Sequence, residues 1–370
     1  RSYHGDVPAE PAPQRGDAEG AAPAAGPPPA PRGAARARLV AHRWAAAVWD
    51  PTPVSMRRFA LAGVISSTVI IVTGAAVRLS KSGLGCPDWP QCTRSSLVAA
   101  PTRGDPMFHT WIEFGNRLVT VLVTVVAVAV LIAAWRFRPG GRRRRDLVRL
   151  AAAQPAGVVA QIVVGGIVVL TDLNPALVSL HFVVSVAVVA AAVALHVRCT
   201  EGTAPARSLV RPDLRLLACG VVVVTAVMLA AGTVVTGTGP LAGAGAVPRY
   251  HLPLTGVTQF HSDIGWLLAG LAVPLAVGLR LTRAPARARR LGWILLGLLG
   301  VQGAVGYTQY FAGLPAGLVW VHVSGSLLIW IAALRLMFAV RDRGPLVQPP
   351  ESPGGPAASA LPEAQPAPAR

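Results

Sequence analysis

QIVVGGIVVLTDLNPALVSLHFVVS, residues 161–185, lies over QGAVGYTQYFAGLPAGLVWVHVSGS, residues 302–326, without a gap. Gln161 falls on Gln302, Gly165 on Gly306, Leu173 on Leu314, Leu177 on Leu318, Val178 on Val319, His181 on His322 and Ser185 on Ser326. Each copy reads as an apolar run, a short turn and a second apolar run, so a helical hairpin is repeated. The match continues weakly elsewhere, where IVTGA at 71–75 resembles VVTGT at 234–238. The segment around EFGNR then corresponds to the one around TQFHSD, which sets Asn116 opposite His261.

Working outward, the chain of 370 residues is 53% hydrophobic and only 14% charged, the balance of a polytopic membrane protein. Runs of about 20 apolar residues suit a membrane-spanning helix. Eight occur, at 59–78, 114–135, 147–170, 177–197, 215–236, 259–280, 291–311 and 318–340. The net charge of +18 could suggest nucleic acid, but no basic domain exists, and arginines sit in bursts between runs. Those bursts, RFRPGGRRRR, RCTEGTAPARSLVRPDLR and LRLTRAPARARR, follow the second, fourth and sixth runs. With both basic ends and the adjoining helix ends they hold 28 of the 34 Lys and Arg residues. The positive-inside rule therefore predicts eight crossings with both termini cytoplasmic, in a cell membrane.

The expected fold is all-α: two four-helix bundles related by a parallel pseudo-two-fold. An N-terminal bundle is expected over 59–200 and a C-terminal one over 201–343. Residues 1–58, a basic tail with a pre-helix segment, and 344–370 read as disordered cytoplasmic tails by composition.

Ionisable groups within spans are costly and point to function. Glu113 and Asn116 lie near the start of the second run, His181 of the fourth, His261 of the sixth and His322 of the eighth. All these helices begin at the outer face, so the polar groups form a layer within a turn or two of it. A lone histidine near a helix end is ordinarily solvated or locally hydrogen-bonded. Here His181 and His322 occupy matched positions, and His261 lies on the helix facing His322. Two imidazoles on facing helices can hold a haem iron. Glu113 has two readings: an ion pair with Arg117 one helical turn on, or a carboxylate able to accept a proton or stabilise developing positive charge. His109 reads as capping or solvent-exposed. Cys86 and Cys92 fall in an outer loop, GLGCPDWPQC (83–92), where thiols can oxidise. Cys199 and Cys219 read as buried free thiols.

Six motifs together carry a family resemblance: VRLSKSGLGCPDWPQC (77–92), WIEFGNRLVT (111–120), VVGGIVVLTDLNPALVSLHF (163–182), GTVVTGTGP (232–240), TQFHSDIGW (258–266) and QGAVGYTQYFAGLPAGLVWVH (302–322). In this order they resemble haem A synthases, oxidoreductases that convert haem O to haem A for cytochrome oxidase, across about 59–340. The resemblance implies a haem b cofactor on His261 and His322, and haem O in the N-terminal half with His181 at its iron. It places Glu113 near the C8 methyl, which successive hydroxylations oxidise to a formyl group. It also implies a Cys86–Cys92 disulfide, a haem O synthase as neighbour and an electron acceptor in the membrane. No nucleic acid is expected, and homo-oligomerisation stays open.

Two departures stand out. Asn116 occupies a position where the family pattern carries His, leaving the substrate iron one protein ligand or a second from His109 or water. Residues 237–258 lack the cysteine pair some members carry there. The competing class is a di-haem b-type electron-transfer protein, which two bis-His sites would favour and Asn116 disfavours. A transporter would call for broken helices or mid-membrane charges. The outer loop reads either as a disulfide-held lid with Trp89 packed beneath it or as a dithiol–disulfide relay.

Overall fold

The computed structural model describes residues 32–94, 96–99 and 107–346. Among them are nine α-helices: α1 (Arg32–Trp49), α2 (Pro53–Leu79), α3 (Met107–Arg136), α4 (Arg145–Leu170), α5 (Pro175–Arg198), α6 (Pro212–Thr238), α7 (Leu254–Leu281), α8 (Ala286–Phe311) and α9 (Ala316–Ala339). Helices α2 to α9 correspond to the eight apolar runs, and each is long and apolar enough to cross a membrane. The protein is a multi-pass membrane protein. Large apolar side chains project from it, including Leu216, Phe311, Leu122 and Val125, as expected where the surrounding solvent is lipid.

Helix α1 corrects the tail expected over the first 58 residues. Between Gly33 and Trp49 the chain carries neither glycine nor proline and is rich in alanine and arginine, all favourable to helix. The remainder of the expected tails, residues 1–31 and 347–370, lies outside the described residues.

Local chemistry sets the helix ends. Thr52 caps α2 by accepting from the Ser55 N–H at 3.1 Å, with Pro53 at the first helical position. Asn174 caps α5 by accepting from the Ala176 N–H at 3.0 Å, ahead of Pro175. The α4–α5 and α8–α9 turns close alike. Leu173 and Leu314 both adopt left-handed backbone, φ 60° and 61°. Their N–H groups donate five residues back, to Val168 O at 2.9 Å and Gln309 O at 2.8 Å, which satisfies carbonyls left free at a helix end.

Helices α2, α3, α4 and α5 pack in a ring, each against the next and α5 back against α2. Helices α6 to α9 close likewise, and α2 and α5 join the second ring through α9 and α6. The seam is apolar, built from Val64, Ile71, Val186, Val189, Leu229, Leu327 and Trp330. The Trp330 indole N–H donates across it to Val186 O at 3.1 Å, and that of Trp320 to Val72 O at 3.0 Å.

The buried core is concentrated at one end of the helices. One cluster packs Leu214, Leu275, Leu279, Leu295 and Leu336; another packs Met56, Phe59, Val130, Phe137, Leu147 and Leu195. Both lie at the end opposite the 80–94 loop. Segments 303–311 of α8 and 320–326 of α9, at the loop end, contribute no buried side chain. Each ring thus has a solid floor and a looser half above it, and the polar residues sit in the looser half.

Candidate functional site

Helix α3 carries Glu113 at 6% exposure, with both carboxylate oxygens engaged. Oε1 accepts from Arg117 at 2.7 Å, one turn along the same helix, and Oε2 accepts from the Cys86 N–H at 2.8 Å. The Arg117 guanidinium spreads further. It donates to the carbonyls of Cys86 at 3.0 Å, Gln91 at 2.9 Å and Asp88 at 3.3 Å. A planar fork of donors can serve several acceptors at once, which a lysine ammonium does poorly. The loop so held is closed by a Cys86–Cys92 disulfide. The Trp89 ring lies against α4, where a Cβ at Gly166 would stand 2.7 Å from it. Gly83 N–H donates to Gly243 O at 3.0 Å, tying the loop to the α6–α7 connection. Ser82 Oγ lies 2.8 Å from His109 Nδ1, so His109 serves the loop.

Asn116 sits one turn from Thr120 and is held by Thr73, whose hydroxyl lies 2.8 Å from Asn116 Oδ1. His181, on α5, lies against Gly165 of α4, where a Cβ would meet its ring at 3.1 Å. Gln161 donates to His181 O at 2.9 Å and also reaches Ser185 Oγ. In the second ring His322, on α9, lies against Gly306 of α8 at 3.0 Å, and Gln302 donates to His322 O. The residues matched in the repeat therefore make matched contacts. His261, on α7, is seated on Gly232 of α6 at 3.2 Å.

The His261 and His322 rings face each other, with centroids 6.3 Å apart and planes at 69°. Two metal–nitrogen bonds of about 2 Å each, plus the centre-to-nitrogen distance within each ring, span about 6 Å between ring centres. Nδ1 of His181 is buried without a hydrogen-bond partner, an exceptional state for a polar atom, while His261 and His322 lie against the backbone of Met228 and Gln302. Among the described residues no three His, Cys, Asp or Glu side chains gather. The donor set fits a group that asks the protein for one or two axial imidazoles and brings its remaining ligands itself, as a haem does.

The structure thus brings Glu113, Arg117 and the disulfide loop together, and His261 with His322. It places Asn116 with Thr73, and it does not bring Cys199 or Cys219 to either site. Burial pushes the Cys199 thiol up to about 11, so it stays protonated and unreactive. Cys219 lies against Met337. Two elements escaped sequence reading. Arg117 was legible only as an ion-pair partner of Glu113. The glycine seats had one signal, the alignment of Gly165 with Gly306, since a glycine facing an imidazole in both copies marks a close approach.

Such an arrangement defines an eight-span helical membrane protein with an imidazole pair in one four-helix ring and a single imidazole plus a buried carboxylate in the other. The chain belongs to the COX15-CtaA family, described as cytochrome oxidase assembly protein, whose profile matches residues 57–334. Over 132 residues it is 32% identical to the heme A synthase of Geobacillus thermodenitrificans, covering 34% of this chain and 38% of that protein. Over 119 residues it is 32% identical to that of Geobacillus kaustophilus, covering 32% of this chain and 34% of the relative. The chain thus spans little more than a third of the length of these curated relatives. A longer match, 29% identical over 273 residues, covers 68% of the chain and 84% of the heme A synthase of Symbiobacterium thermophilum.

Proposed function

We propose that this protein is a haem A synthase, oxidising the C8 methyl of haem O to the formyl group of haem A by successive hydroxylations. The observation that carries the reading is the inequality of the two rings. Facing imidazoles 6.3 Å apart suit a resident haem b on His261 and His322. A single His181 beside a ring that also holds Glu113 suits a haem that must enter, react and leave. Family membership and the printed names of the relatives support the same activity.

A haem bound in each half supplies the redox chemistry of the reaction. The chain supplies position and proton handling. His181, braced from below by Gln161 and seated on Gly165, is the ligand for the substrate iron. Asn116 donates no imidazole, and its bond to Thr73 keeps it from rotating freely into the site. His109, engaged by Ser82, is no substitute. Glu113 is the group that takes a proton from the oxidising carbon or balances positive charge there. Arg117 pairs with the buried carboxylate and aims it, because a lone buried charge is costly. The Cys86 N–H on Oε2 is the bond that substrate must displace, so loop movement and carboxylate release are one event. The bridged loop acts as a lid, with Trp89 as its inner face.

In this reading the 80–94 and 239–253 loops face outward, both termini are cytoplasmic, and the two rings are related by a parallel pseudo-two-fold. A haem O synthase delivers the substrate and a membrane electron acceptor takes the electrons. The test is pigment extraction from membranes that co-express the protein with a haem O synthase. Haem A should accumulate with the wild type and be absent with Glu113→Gln. Recovery of haems B and O alone from folded wild-type protein would refute the proposal.

A further inference from the structure

Arg78, in the last turn of α2, is a cation that the proposed reaction leaves unused. A helix-end arginine needs only to reach water, but this one is half-buried and turned onto backbone. Its Nε donates to Leu241 O at 3.3 Å. Its stem packs on Gly243, where a Cβ would stand 3.7 Å from Cγ, and Gly243 is itself bonded to Gly83. A guanidinium has five N–H donors. Those on the two Nη atoms of Arg78 have no partner among the described residues, and no carboxylate there pairs with it. Glu113 is already bound by Arg117.

Register places this cation. The match of 71–75 with 234–238, carried on, sets Arg78 opposite Leu241, so Arg78 is bonded to the backbone of its own counterpart. It stands where the two copies meet, and the second copy has no cation at that position. Gly74, four residues earlier on the same face of α2, faces Asn116, whose Nδ2 would lie 3.9 Å from a Cβ there. Arg78 is therefore one turn, about 6 Å, nearer the 80–94 loop than Asn116 is. Helix α3 runs the opposite way and sets Glu113 about one turn beyond Asn116 too, so Arg78 and Glu113 share a level.

We propose that Arg78 binds a propionate carboxylate of the haem in the first ring, an inference that rests on reading that ring as the substrate site. A single iron–imidazole bond leaves a haem free to turn about that bond. Ligation by His181 alone therefore does not choose which edge of the ring meets Glu113. Haem O carries its two propionates on one edge, and the C8 methyl shares a pyrrole with one of them. A guanidinium fork level with Glu113 matches a carboxylate, so it fixes that edge and brings the C8 methyl to Glu113. Arg78 thus orients the substrate.

The test uses the purified full chain in detergent micelles with its second ring filled by haem. It is titrated with haem O or with haem O dimethyl ester, in which both carboxylates are blocked. Tryptophan quenching and the Soret band report binding. Wild type should bind the free acid about tenfold more tightly than the ester, the effect of one charge-assisted hydrogen bond. Arg78→Gln should lose that preference, bind the ester as wild type does and leave the low-spin spectrum of the second ring unchanged. Arg78→Lys should keep part of the preference, and decides the matter if Arg78→Gln fails to fold. Lys81→Gln, which removes an exposed cation from the same end, should behave as wild type. An undiminished preference in the Arg78 variants, a loss matched by Lys81→Gln, or equal weakening of the second-ring haem would overturn the assignment. Equal binding of acid and ester by wild type would overturn it alone, leaving the substrate-site reading intact; failure to bind any second haem would overturn both.

Discussion

The ring of α2–α5 and the ring of α6–α9 are built from related sequence and hold their imidazoles in related ways, yet they differ at one corner. His181 and His322 share a glycine seat, a glutamine brace and a left-handed leucine turn. Across from His322 stands His261. In the first ring the corresponding residue is Asn116, tied to Thr73, and the same helix brings Glu113 and Arg117 under a disulfide-closed loop. In the proposed reading, duplicated helices preserve the means of holding a haem, while reactivity depends on what replaces the second imidazole; one ring retains a group and the other acts on one.

The largest effect that would sharpen this comparison is Glu113→Gln. Haem A formation should fall by about 10²–10⁴, the usual contribution of a positioned acid–base group, while the haem of the second ring keeps its spectrum. Equal loss of both would break the division of labour. Next, His322→Ala or His261→Ala should abolish the six-coordinate, low-spin haem signal of the purified protein. His181→Ala should leave that signal intact. Retention of low-spin haem in both second-ring variants would show that the facing pair is not the ligand set.

Asn116→His tests the asymmetry directly. A second imidazole in the first ring should convert its haem to a low-spin form and raise its retention on purification, with slower haem A release; absorbance and electron paramagnetic resonance report the change. Smaller effects come from the seats. Gly306→Ala places a Cβ 3.0 Å from the His322 ring and should weaken haem retention, by about 1–3 kcal/mol as for other overpacked sites. Gly303→Ala, one turn away with open space around it, should be silent. Smallest is Arg117→Lys, which keeps a cation beside Glu113 but loses the fork to three loop carbonyls. It should speed reduction and alkylation of the Cys86–Cys92 bridge several-fold, while the second-ring spectrum is unchanged.

Sequence reading reached far here because membrane helices announce themselves. Eight apolar runs predict eight spans, since no other backbone arrangement but a closed barrel satisfies its hydrogen bonds in lipid. It fell short where the signal is local propensity alone. Helix α1 was hidden in a composition rich in alanine, proline, glycine and arginine, although its own segment from Ala34 to Trp49 holds neither proline nor glycine. The candidate residues could be named from the repeat and the family motifs, but their groupings could not. Nothing in the run around Arg117 indicates that its guanidinium reaches Cys86, Asp88 and Gln91.

By itself the sequence determined the number of spans, the duplicated hairpin and the identities of Glu113, Asn116, His181, His261 and His322, because hydropathy and repetition are carried by side chains in linear order. Only the tertiary structure decided that the His261 and His322 rings stand 6.3 Å apart, that Asn116 belongs to Thr73 and His109 to Ser82, and that the Cys86–Cys92 loop is hydrogen-bonded to Glu113. Those contacts join groups far apart along the chain, and which of many similar groups meet is decided only when folding brings them together.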